Sequence, residues 1–140
     1  MMINGDATIF NRWEEDGKAQ ALPTRLPGVF WSMSQEGGYP GHRYSNKGLE
    51  RKNKAKILVP AVWGEKQYIS PSAWKGLSRA DKERFFTFAM GDVILQERWA
   101  GDEAVLLTEL LAEKDGAICL EKVHSVMAPH GLSHWELEGV

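Results

Sequence analysis

Short runs of alternating apolar and polar residues dominate the chain, and a period of two marks half-buried β-strands. Residues 7–13 predict a first strand, and residues 28–33 a second with Val29, Trp31 and Met33 on one face. Residues 57–63 predict a third, in which Pro60 marks an edge or a bulge. Residues 67–70, 117–127 and 132–138 follow the same rule. Polar or Gly/Pro turns separate them at 14–17 and 128–131. Pro23 and Pro27 bracket a separate short extended stretch, because the residue before a proline is pushed out of the helical region.

Residues 85–97 read as the centre of the fold. Phe86 and Phe88 share one face of a first arm, while Phe85, Thr87 and Ala89 share the other. Gly91 supplies the positive φ of a tight reversal. Val93, Ile94 and Leu95 are apolar at successive positions, as in a strand covered on both faces. The stretch predicts a central β-hairpin against which the other strands pack.

Helical signals are fewer. Ser70 before Pro71 is a capped start that gives about one turn over 72–76. Ser78, with Asp81 three residues on, predicts another short turn reaching Arg84. The helical period is clearest over 102–114. There Asp102 caps the start, Leu106, Leu107, Leu110 and Leu111 form one stripe, and Gly116 ends the run. Together the elements predict one β-rich α+β domain over residues 1–140. Its expected form is a small β-barrel or sandwich of short, mainly antiparallel strands, with one amphipathic helix (about 102–114) across an opening.

A chain of 140 residues can bury a real core without covalent staples. Its single cysteine, Cys119, excludes an internal disulfide, and the apolar neighbours predict a buried, inert thiol. The net charge of −2 gives no global field toward nucleic acid or an anionic membrane. No basic patch followed by an apolar core opens the chain, and no apolar run nears the roughly 20 residues that span a bilayer. A soluble protein made in the cytosol is expected.

The charge is unevenly spread. Residues 34–48 hold four glycines and one proline without any period, which predicts a long loop that orders only on assembly. Its continuation is basic: Arg43, Lys47, Arg51, Lys52, Lys54 and Lys56 stand against Glu50. These are the candidate binding residues, for a neighbouring subunit or for DNA. Glu14, Glu15 and Asp16 are the acids that a neighbour would offer them.

Signals for chemistry are absent by comparison. His42, His124, His130 and His134 have no acid or cysteine at a recognised metal spacing. Ser125 lies near His124 and Glu121, yet no Gly-x-Ser-x-Gly elbow is present. Neither Gly37-Gly38 nor Gly91-Asp92 opens a helix with Lys-Thr or Lys-Ser, so no phosphate loop is read. No catalytic group, metal or cofactor is assigned, and the chain reads as an assembly protein rather than an enzyme. The alternatives are a β-rich module that binds nucleic acid or carbohydrate on exposed Trp and Tyr platforms, and a small hydrolase built on the scattered His, Ser and Glu.

Several pieces in order carry a resemblance: Asp6-Ala-Thr-Ile-Phe-Asn11, Gly28-Val-Phe-Trp31, Asn46-Lys-Gly-Leu49 and Ile57-Leu-Val-Pro60. They continue with Gln67-Tyr-Ile-Ser-Pro71, Gly91-Asp-Val-Ile94, Val123-His-Ser-Val126 and His134-Trp-Glu-Leu-Glu-Gly139. In these the chain resembles a family of small tailed-phage proteins encoded in the head–tail joining region of siphophages and prophages, often labelled minor capsid proteins. The resemblance implies a virion structural protein of the head–tail joint, of the head-closure, adaptor or minor capsid type. Such subunits resemble β-barrels that form a ring below the portal, through which DNA passes. The implied partners are other copies of the chain, the portal or connector, tail-terminator or tail-tube proteins, and phage DNA in the channel, with no membrane. Assembly in the host cytoplasm is implied too.

Overall fold

The chain first reverses at Asp16-Gly17, where both residues take positive φ (54° and 76°), as a tight two-residue hairpin turn requires. The computed structural model describes residues 2–35, 53–61, 65–127 and 133–140. The strands joined by the turn, β1 (Met2–Glu15) and β2 (Lys18–Gln35), pair antiparallel from Glu15↔Lys18 to Met2↔Ser32. They are longer than the short strands expected, because Pro23 and Pro27 sit inside β2 instead of breaking it. Between β7 (Val105–Leu106), which pairs at Gln20 and Ala21, and β3 (Asn53–Pro60), which pairs from Phe30 onward, the outer edge of β2 has no strand neighbour among the described residues. Both prolines fall there, where no ladder needs their missing N–H. Gly28, at φ 71°, takes up the bulge where the register shifts between Gly5↔Val29 and Ala7↔Leu26.

β1 also pairs with β6 (Val93–Leu95), β6 with β8 (Ile118–Val126), β8 with β9 (His134–Gly139), and β9 with β3. With β3 on β2 and β2 on β1 the ring of pairings closes. Of the two architectures expected, this is the barrel, six-stranded and antiparallel. Pro60 is the last residue of β3, opposite His134 and beyond the reach of β2, so its missing donor is again harmless. Gly139 is needed where β8 and β9 converge: a Cβ there would run into the Cys119 carbonyl and the Ile118 side chain.

Alternation along the strands sorts the core into two layers. Ile9, Trp31, Ile57, Ile94, Leu120 and Leu137 fill the barrel. Phe10, Val93 and Leu95, one position out of phase, face outward and are buried with Leu107 and Leu110 of α3 (Leu107–Glu113). β6 is therefore covered on both faces, as its three successive apolar residues imply. α3 begins later than expected and covers the outer wall, not an opening. Asp102 does not cap it, since its carboxylate is bound by Arg25, and Val105 and Leu106 are taken as β7 by the edge of β2. Leu111 is left largely exposed.

The barrel end is closed by the segment between β3 and β6. It contains β4 (Gln67–Tyr68), α1 (Pro71–Lys75), α2 (Arg79–Lys82) and β5 (Phe85–Phe86), which pairs parallel with β4. Both short helices start as the sequence predicts: Ser70 Oγ accepts from Ala73 N at 3.3 Å and Ser78 Oγ from Asp81 N at 3.2 Å. Trp74 is buried, its Nε1 donating to the Phe85 carbonyl at 3.1 Å.

The expected hairpin over 85–97 is not formed. The chain does reverse at Gly91, with φ 93°, but both edges of β6 are already used by β1 and β8. The first arm instead crosses the barrel end and buries Phe86 and Phe88 in the interior cluster, against Tyr68 and Trp135. Burial of Phe86, Phe88, Val93 and Leu95 is as the pattern requires, although the pairing is different. Phe88→Ala should cost about 3–5 kcal/mol of unfolding free energy in urea titration. A loss below about 1 kcal/mol would make the plug a peripheral flap.

Candidate functional site

The closed end of the barrel is fixed by buried polar contacts. Asn11 continues the inward face of β1 beyond Ile9, at the level of the plug. Its Nδ2 donates to the Thr87 carbonyl at 2.6 Å and to Asp92 Oδ2 at 2.8 Å, and its Oδ1 accepts from Thr87 N at 3.2 Å. Asp92 Oδ2 also accepts from Ala89 N at 3.0 Å, and Oδ1 from Arg12 N at 3.0 Å. Burial pushes the Asp92 carboxyl up to about 6, against the downward pull of these three N–H groups.

Over this floor lies a cavity of about 610 Å³ lined by Arg12, Trp13 and Glu14 of β1 and by Lys75, Lys82, Met90 and Asp92. Lys82 is 5% exposed, and its Nζ donates to the carbonyls of Lys75 (3.1 Å) and Leu77 (2.6 Å), closing the end of α1. Burial holds its pKa below the ordinary lysine value. Arg12 and Lys75 form no side-chain hydrogen bond or ion pair among the described residues. Lys75 and Met90 are shared with an adjoining groove of about 540 Å³, which Tyr68, Phe88, Val123, Ser125 and Trp135 also line.

Of the basic residues singled out by the sequence, Arg43, Lys47, Arg51 and Lys52 lie outside the described residues, as does the loop expected up to residue 48 beyond Gln35. Lys54 and Lys56 stand on β3 and face outward, since Ala55 and Ile57 between and after them are buried inside. The strand register puts Lys56 opposite Glu138 of β9, and Glu138 opposite Lys122 of β8. Lys54 Nζ lies 3.7 Å from Glu138 Oε1. Three lysines from two strands thus surround one acid on the outer wall.

Lys122 was not legible as a member of this row, because only strand pairing brings it beside Lys56. Arg12 and Lys75 come together only because the segment carrying α1 folds over the end of β1. Of the three acids expected to meet a neighbour, Glu15 is held by Arg79 at 3.2 Å and by Trp13 Nε1 at 3.2 Å, whereas Glu14 and Asp16 are exposed. Cys119 is free and half-exposed rather than buried, packed beside the α3 layer. Among the described residues no three His, Cys, Asp or Glu converge as metal ligands, and no helix is long and apolar enough to cross a membrane.

Fold and surfaces define the class: a small antiparallel β-barrel with a plugged end and a lysine-bearing outer wall. Within that class, the chain belongs to a family of unknown function (DUF6751), whose profile matches residues 2–140. Neither the curated proteins nor the solved structures yield a match.

The floor carboxylate makes stability depend on pH. The folded pKa of Asp92, about 6, lies above its ordinary 3.8, so the folded chain holds this proton more tightly than the unfolded one. That contribution is complete below about pH 4 and is lost as pH rises through about 6, a change of roughly 3 kcal/mol. Asp92→Asn cannot titrate. The stability of wild type minus that of the variant should therefore fall by about 2 kcal/mol between pH 4 and pH 7 in urea unfolding. A difference that grows with pH would mean that the N–H donors outweigh burial.

Proposed function

We propose that the chain is a virion structural protein of the head–tail joint of a tailed phage, working as a ring that contacts portal or connector and tail proteins. The sequence pieces that resemble such proteins support this reading, because most of those within the described residues fall on the framework of the barrel, while 67–71 falls on β4 and the start of α1 in the segment that closes its end. Residues 6–11 lie in β1, 28–31 in β2, 57–60 in β3, 91–94 at the turn into β6, 123–126 in β8 and 134–139 in β9.

The observation that carries the reading is the placement of charge along the barrel wall. Lys54, Lys56 and Lys122 lie at the level of Met2 and Ser32, the open end of the β1–β2 pair. Glu14 and Asp16 lie at its turn, a strand length of roughly 40 Å away. The exposed acids Glu14 and Asp16 at one end and the lysine row at the other suit head-to-tail contacts between copies, and such contacts close into rings where the rotation between copies closes. The reading as a stacking module for nucleic acid or sugar has less behind it. Trp13, Trp31, Trp74, Trp99 and Trp135 are buried or half-buried, and Trp63 lies outside the described residues.

The triple variant Lys54→Gln, Lys56→Gln, Lys122→Gln should fold normally and fail to form rings in sedimentation velocity. Rings that form normally while filled heads retain less DNA, more so at high salt, would move the lysines to the channel. No change in either would remove the lysine row from the assembly. A gene neighbourhood without portal, capsid and tail-tube genes would contradict the class itself.

A further inference from the structure

Two strand edges of the barrel are treated in opposite ways. The free edge of β2 is guarded. Pro23 and Pro27 interrupt its donors, the Glu65 carboxylate covers Arg25 N at 3.0 Å, and Lys66 Nζ occupies the Pro23 carbonyl at 2.9 Å. Arg25 ties the same edge to the carbonyls of Trp99 and Gly101. Such devices keep an edge from pairing with another chain. β8 has none of them. Leu120 is its last residue with a partner on the side away from β9, donating to the Asp92 carbonyl at 2.8 Å and accepting from Gly91 N at 2.9 Å. From residue 121 to 126 that side carries no backbone hydrogen bond among the described residues, and no proline lies there.

The space beside this edge is shaped. It continues the line of β6 past the turn at Gly91 and opens on the 540 Å³ groove beneath Val123 and Ser125, with Tyr68, Phe88 and Trp135 on its walls. Met90 (73% exposed) rims the groove and Met127 (86% exposed) follows the end of β8, both adaptable apolar side chains. Lys75 lines the groove and Arg12 the adjoining cavity, each without an ion-pair partner among the described residues. The described surroundings therefore offer free main-chain groups, an aromatic trough and, although Asp92 and Glu14 share the cavity with Arg12 and Lys75, an excess of positive charge.

We propose that β8 accepts an extended segment of a partner chain as an added strand, and that the segment alternates apolar side chains with acidic ones. The apolar side chains enter the groove, and the positive charge of Lys75 and Arg12 beside it favours an acidic segment over a basic one. Residues 121–126 fix the length at about six residues, roughly 20 Å of strand. The inference does not depend on the head–tail reading.

The test uses the full chain and the peptide acetyl-Val-Thr-Val-Glu-Val-Thr-amide, followed by amide exchange and chemical shifts in NMR. Expected are slowed exchange at residues 121–126, at least a tenfold loss of affinity when the central valine is N-methylated, and about a tenfold loss in Lys75→Glu. Unchanged exchange at millimolar peptide would overturn the proposal. So would equal binding of the N-methylated peptide, which needs side-chain contacts alone. Protection of the same residues that appears without peptide as protein concentration rises would also overturn it, since the occupant would then be a second copy.

Discussion

The carboxamide of Asn11 meets the backbone of Thr87 as a neighbouring strand would, giving an N–H to its carbonyl and taking one from its amide. No strand is free to do this, because β1 is already flanked by β2 and β6. One side chain therefore fixes the register of the plug: with Thr87 held at the wall, Phe86 and Phe88 on either side are placed inside the barrel. The second Asn11 donor binds Asp92, whose carboxylate also organises Arg12 N and Ala89 N. In a site of low dielectric such a network is strong when complete, and costly when one member leaves the others unpaired, about 1–3 kcal/mol for each group.

The rest of the architecture follows from that clamp. With the plug fixed, the turn at 89–92 delivers β6 between β1 and β8 and closes the ring, and Asp92 bonds the Leu120 amide through its own carbonyl. β6 is only three residues long, so β1 and β8 part beyond it. The cavity over Asp92 and the groove under Val123 occupy that gap. Both concave surfaces and the open edge of β8 thus arise from one shortage, a wall strand shorter than its neighbours. The lysine row lies elsewhere on the wall, on strands whose register is set by β9.

Local signals were legible where local chemistry decides the outcome. The Asp-Gly turn, the caps at Ser70 and Ser78, the positive φ at Gly91 and the double burial of Val93–Leu95 could all be read from neighbouring residues. What could not be read depended on distant partners. Phe85–Phe86 looked like the arm of a hairpin because nothing nearby shows that β1 and β8 occupy both edges of β6. Asp102 looked like a helix cap because Arg25 is far away in sequence. Pro23 and Pro27 bracket a stretch read correctly as extended, but its continuity with the following strand depends on the gap between β7 and β3 along β2, which is a tertiary fact. The lysine row was half legible: Lys54 and Lys56 stood out as a basic run, whereas Lys122 joins them only through Glu138.

Amide hydrogen exchange at Thr87 and Ala89 tests the clamp most directly. Both lie outside any strand or helix, and among the described residues their N–H groups are held by the side chains of Asn11 and Asp92 alone. If the clamp joins plug and barrel into one cooperative unit, these amides exchange only through global unfolding, with the same free energy as Ile9 and Ile57 in the barrel wall. Exchange at Thr87 and Ala89 that is several kcal/mol easier than at the wall would contradict the account, because the plug would then open while the barrel stays folded.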